Sequence, residues 1–266
     1  MSVVFDRAAS FYDRTRALPQ QAESWLAQAL REQTALQPGS RVLEIGVGTG
    51  RIALPLIHSN QYRYTGIDLS RTMMEALRAK LGDVPIALIQ GDIAALPLDA
   101  GTFDAIVAVH VFHLVSAWSQ GMDEVRRVLR PGGMLLHGHN RSAGESAADE
   151  LKKRISSIAK SLSTADNASP TERLDHPQIA QALEQRFGPP REVATPFWQV
   201  TRTPREIIDA IEARCWSHTW ALSDAVLAQT VAEGRRWALE RFGSLDAPIR
   251  EEQQFVWDVY RLPMTR

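Results

Sequence analysis

The stretch Val42-Leu-Glu-Ile-Gly-Val-Gly-Thr-Gly50 places glycines at 46, 48 and 50 directly after an apolar run. Glycines there let the backbone turn sharply and expose bare amides at the start of a following helix, where a ligand can lie against them. Close packing alone can also select such a turn. Two acids sharpen the choice. Asp68 ends a second run, Tyr62-Arg-Tyr-Thr-Gly-Ile-Asp68, and Asp92 follows a third in Gln90-Gly-Asp-Ile93. A carboxylate at the second strand end can accept both hydroxyls of a ribose, and one at the third can accept from the exocyclic amine of adenine. Either could instead cap a turn or helix. Three such features at three successive strand ends favour a nucleoside site. A dinucleotide fingerprint would need glycine at position 51, where Arg51 stands.

The elements that must position these residues alternate between strand and helix. Residues 41–45, 62–68, 86–90, 103–109 and 134–138 read as five buried strands. Between them, Met74, Leu77 and Leu81, and again Met122, Val125 and Leu129, keep helical spacing, with Gly82 and Pro131 where those helices should stop. The expected fold class is α/β, a doubly wound, Rossmann-like sheet of seven strands with the last antiparallel. Residues 1–37 read as an N-terminal helical lid, 38–142 as the core and 143–202 as a helical insertion plus sixth strand. A helical cap over 203–252 and a final strand over 253–266 complete the chain. A break is expected around Ala168-Ser-Pro170, and Pro196 marks its extended segment as an edge strand or a bulge. Thr203-Pro-Arg-Glu206 is a capping box, so a helix should start there, and another should run from 224 to 242 and end at Gly243. Phe255, Trp257 and Val259 alternate as in a half-buried strand.

Glu44-Ile-Gly-Val-Gly-Thr-Gly50, Gly66-Ile-Asp-Leu-Ser70, Gly91-Asp-Ile93 and Val128-Leu-Arg-Pro-Gly-Gly-Met-Leu-Leu136 together resemble the successive motifs of class I S-adenosylmethionine-dependent methyltransferases. Within them the chain is most similar to the small-molecule branch with a type 11 methyltransferase domain. The resemblance spans 41–139, with a weaker echo in Phe11-Tyr-Asp-Arg-Thr-Arg16. It implies that Gly46 and Gly48 pass beneath the methionine part of S-adenosylmethionine and that Glu44 anchors the turn and the cofactor's ammonium. It also implies Asp68 on the ribose, Leu69 against the adenine, and Asp92 and the backbone of Ile93 on the adenine edge. Met73 either covers the adenosine or fills the core. Tyr12 matches a tyrosine that closes over the cofactor, and Arg16 either faces the methionine carboxylate or lies on a solvated helix face.

Methyl transfer from a sulfonium is an in-line displacement that needs alignment and dryness more than a base. Four of the seven histidines, His110, His113, His137 and His139, fall at or just past two strand ends. His113 matches a histidine common in the branch, and it and His110 are the candidates for lining the pocket or serving as base; each could also be structural. The spacing of these four fits no helix or loop zinc pattern, so no metal is expected. Trp216, His218 and His139 are candidates for the acceptor pocket, which the late tryptophans suggest is hydrophobic or aromatic.

The 266 residues are 44% hydrophobic and 23% charged, enough to bury a core without staples. Thirty basic and 31 acidic side chains nearly cancel, against a nucleic-acid partner. One cysteine, Cys215, and no apolar run long enough for a bilayer point to a cytoplasmic protein with no membrane partner, monomeric or homodimeric. The function expected is methyl transfer to a small molecule. The alternatives are an aminopropyl- or carboxymethyl-type transferase, or a non-catalytic nucleoside-binding module.

Overall fold

Val42, Leu43 and Ile45 are wholly buried, as in a strand covered on both faces. The computed structural model describes residues 4–34, 36–59, 61–163 and 175–264. Its strands are β1 (Arg41–Ile45), β2 (Arg63–Asp68), β3 (Ala87–Gln90), β4 (Phe103–Val109), β5 (Leu129–Ser142), β6 (Arg191–Ala194), β7 (Trp198–Arg202) and β8 (Ile249–Arg261). The helices are α1 (Tyr12–Arg16), α2 (Gln20–Gln33), α3 (Ala53–Ser59), α4 (Arg71–Leu81), α5 (Trp118–Val128), α6 (Ala147–Ser163), α7 (His176–Phe187), α8 (Pro204–Glu212) and α9 (Asp224–Phe242). The sheet runs β3-β2-β1-β4-β5-β8-β6, with β7 also paired to β8. β1 is parallel to both β2 and β4, and β5 is parallel to β4. Strand order therefore reverses between β1 and β4, where doubly wound sheets bind ligands beyond their carboxyl ends.

Two units make up the chain. The first takes in the described parts of 1–139, 171–195 and 255–266, and the second those of 140–170 and 196–254. In the first unit, the side of α4 bearing Met74, Leu77 and Leu81 is buried, as its spacing predicts. Each such side chain contributes about 1.5–3 kcal/mol by leaving water. Ser70 caps the helix by accepting from the Met73 N–H, and Gly82 ends it at φ +56°. In the second unit, α6, α8 and α9 share a core that includes Leu151, Ile155, Ile208, Ile211 and Val231. Thr203 and Glu206 form the expected capping box, and Gly243 ends α9 in the left-handed conformation.

Three expectations need correction. The sheet has eight strands, because the segment around Pro196 divides into β6 and β7. Proline cannot extend a ladder, yet both halves pair antiparallel with β8 on either side of it. The fifth strand spans 129–142, well beyond 134–138. The last strand begins at 249 and is not half-buried, since residues 254–260 are buried without interruption. Tyr260 packs into a core shared with α7 residues Ile179, Leu183 and Phe187, while Phe255 and Trp257 would meet any side chain placed at Gly138. The break expected around 168–170 lies outside the described residues.

Candidate active site

The turn after β1 is held from below by β2. The Gly46 and Val47 N–H groups both donate to the Ile67 carbonyl, at 2.8 and 3.1 Å. Gly46, Gly48 and Gly50 have φ of +71°, +53° and +84°, a region side chains rarely enter. A Cβ at Gly46 would lie 2.9 Å from Val111, and one at Gly50 would collide with Leu77. The chain therefore needs glycine here for shape and for space.

Asp68 bridges the two strand ends. Its Oδ2 accepts the Gly48 N–H and its Oδ1 the Ser70 N–H, both at 2.8 Å. A carboxylate has about four lone-pair positions, so each oxygen retains acceptor capacity for a diol. Burial raises its pKa above the usual carboxylate range; backbone N–H bonds from Ser70, Gly48 and Leu69 oppose the rise, and Asp6 adds to it. Leu69 is half-buried beside it. Met73 is buried, with its Cε 3.3 Å from where a Gly48 side chain would begin, so it packs directly on the turn. At the next strand end, Asp92 Oδ1 accepts from the Ala94 N–H at 3.0 Å, and Ile93 is buried against Gly121.

Glu44 is 2% exposed and accepts the Tyr64 hydroxyl at 2.7 Å. Burial pushes its carboxyl up to about 8; the Tyr64 bond and Arg51 pull down, and Asp68 pushes up. It is thus mostly protonated at neutral pH. The N-terminal segment is tied across the same turn. Thr49 Oγ1 donates to Asp13 Oδ1 at 2.5 Å, Lys80 pairs with Asp13 at 2.8 Å, and Ser70 Oγ donates to Asp6 at 2.5 Å. These contacts set α1, with half-buried Tyr12 and Arg16, beside the glycines. Arg51 also donates to the Arg16 carbonyl at 3.4 Å.

Beyond β4, His110 has φ +54°, uncommon for a residue with a side chain and most often informative near a site. Burial, then the charges of Arg51, His113, His137 and His139, hold its imidazole well below the usual histidine range. It is therefore a neutral proton acceptor. His113 occupies the turn Phe112–Leu114, its ring 6.5 Å from that of His110. In the second unit, Trp216 packs against that unit's apolar core, and His218 is exposed on the turn Ser217–Thr219.

The structure gathers one constellation that sequence spacing did not show. His137 and His139 join His176 and Asp258 within a few ångströms, instead of forming a foursome with His110 and His113. A signal for His176 was present: Asp175-His-Pro-Gln178 is a capping box, which fixes His176 as the first residue of α7.

Switch-point location, glycine turn and successive acids match the ordered arrangement that class I S-adenosylmethionine-dependent methyltransferases show. The family model described as a methyltransferase domain matches residues 43–137, so this segment is similar to that family. A demethylmenaquinone methyltransferase from Clavibacter sepedonicus is 33% identical over 138 residues, covering 51% of this chain and 56% of the relative. A ubiquinone/menaquinone biosynthesis C-methyltransferase from Syntrophotalea carbinolica is 35% identical over 138 residues, covering 50% and 58%. The chain thus aligns with a little over half the length of these relatives. The YcgJ protein of Bacillus subtilis superposes with a TM-score of 0.59 at 18% identity, over 91% of this chain and 99% of that one, and shares the fold. Among the described residues no helix is long and apolar enough to cross a membrane.

Proposed function

We propose that the protein moves a methyl group from S-adenosylmethionine to a small, hydrophobic or aromatic acceptor. The observation that carries this reading is Asp68, which holds the glycine turn through Gly48 while keeping lone pairs free for a ribose. Asp92 stands one strand further on, where an adenine edge would fall, with Leu69 and Ile93 as its apolar neighbours. Gly46 and Gly48 leave room for the methionine part, and Glu44 is the group closest in chemistry to its ammonium. Tyr12 and Arg16 would close over that end from α1. When bound, the cofactor supplies an activated methyl for in-line displacement. His110 and His113 would line the acceptor side, where a neutral His110 can take a proton from a phenol or alcohol.

Thermal denaturation with S-adenosylmethionine, S-adenosylhomocysteine and NAD tests the cofactor. The first two should raise Tm and NAD should not; Asp68→Ala should abolish the shift. Label transfer from methyl-labelled cofactor into a metabolite extract tests the reaction. A shift without transfer supports a nucleoside-binding module instead, and no shift with either nucleoside refutes both.

A further inference from the structure

His137 and His139 are two apart on β5, so their side chains share one face of the sheet. Asp258, on β8, joins them there, and His176 opens α7 over the same spot. One ligand atom from each of the four lies within 4.8 Å of all the others. Asp258 Oδ2 is 3.7 Å from His137 Nδ1 and 3.5 Å from His139 Nδ1. The His139 and His176 rings are 4.0 Å apart between centroids. Side chains of His137, Asp258 and His139 are only 4%, 11% and 12% exposed.

Nothing in methyl transfer uses this cluster, and packing alone accounts for it poorly. His137 Nδ1 is buried and makes no hydrogen bond. A buried polar atom left that way costs about 1–3 kcal/mol. Three neutral imidazoles and one carboxylate match a divalent cation that prefers nitrogen, and such a set disfavours magnesium and calcium, which take oxygen. With bonds of about 2.0–2.2 Å, a tetrahedral zinc needs its ligand atoms about 3.3 Å apart. The two Asp258 separations are already close to that, and movement of His176 on the exposed start of α7 closes the rest.

We propose that His137, His139, His176 and Asp258 form a tetrahedral zinc site within the first unit. Four protein ligands leave no open position, so the ion ties the start of α7 to β5 and β8 as a structural staple. His176, the exposed member, gives the ion its way in.

The test uses the full chain freed of metal with a chelator, then titrated with Zn2+ against a chromophoric competitor and, separately, with Co2+. Expected are one ion per chain, the intense visible bands of tetrahedral Co2+, and a Tm rise of roughly 5–10 °C at about a hundredfold excess over Kd. His176→Ala and His139→Ala should each weaken binding about a hundredfold or more, with metal-free Tm showing that both still fold. His176→Cys, another zinc ligand, should restore binding, and His58→Ala, on α3, should match wild type. Absence of stoichiometric zinc at micromolar concentrations, or a His176→Ala chain that binds as wild type, overturns the proposal. No nucleoside enters the assay, so its failure leaves the cofactor reading untouched.

Discussion

Binding of S-adenosylhomocysteine should expel a proton from Glu44. The buried carboxyl titrates at about 8, so at pH 6.5 it is roughly 97% protonated and ionising it costs about 2 kcal/mol. The ligand's ammonium is already charged at that pH. Seating that cation against Glu44 stabilises the carboxylate, so close to one proton should leave for each ligand bound. Affinity should then fall about tenfold per pH unit below 7, because each unit adds about 1.4 kcal/mol to the cost of ionisation. Isothermal titration in buffers of different ionisation enthalpy reads the proton count directly, as the slope of observed heat against buffer enthalpy. Glu44→Gln keeps an acceptor for Tyr64 but cannot ionise. Its proton count should drop to near zero and its affinity by roughly 10- to 150-fold, the worth of one charge-assisted hydrogen bond. The unliganded chain offers a second check. A carboxyl raised in the fold contributes stability at low pH that is lost as pH climbs from about 4.5 toward 8, and Glu44→Gln should remove that slope. A wild-type proton count of zero, or a count unchanged in Glu44→Gln, refutes the placement of the ammonium.

Asp68→Asn should keep one acceptor for the turn yet weaken S-adenosylhomocysteine about a hundredfold or more, read by the same calorimetry; wild-type affinity would sink the ribose assignment. Gly46→Ala forces a side chain into φ +71° and toward Val111, so it should cost about 1–3 kcal/mol and lower Tm by several degrees, measured by calorimetric melting. His110, held neutral in the fold, makes stability fall as pH drops below about 6.5, where the unfolded chain takes up a proton and the folded one does not. His110→Asn, which tolerates the left-handed backbone, should flatten that part of the stability profile in denaturant titrations between pH 5 and 7.

Local chemistry was legible in the sequence. The β1 glycines, the Thr203 capping box and the Gly243 stop on α9 each depend on neighbours a few residues away. Asp68 was legible too, because a strand-end carboxylate is read from its own element. Pairing across the sheet was not. Pro196 suggested a disturbed strand, but only the partner shows that β8 continues past it to pair with both β6 and β7. The alternation of Phe255, Trp257 and Val259 reads as one buried face, yet α7 covers the other, and periodicity within a strand cannot report what lies on its far side. The same blindness hid the partners of His137 and His139. Asp258 reaches them through strand neighbourhood, and His176 through a helix entered after a long excursion of the chain.

β8 belongs to both units, its first half completing the ladder with β7 and its second the ladder with β6. During synthesis neither can therefore finish until this stretch has left the ribosome. The nascent chain must carry two sets of unpaired strand edges until then, a state prone to self-association. A premature stop before residue 249 thus leaves both units without their shared strand at once.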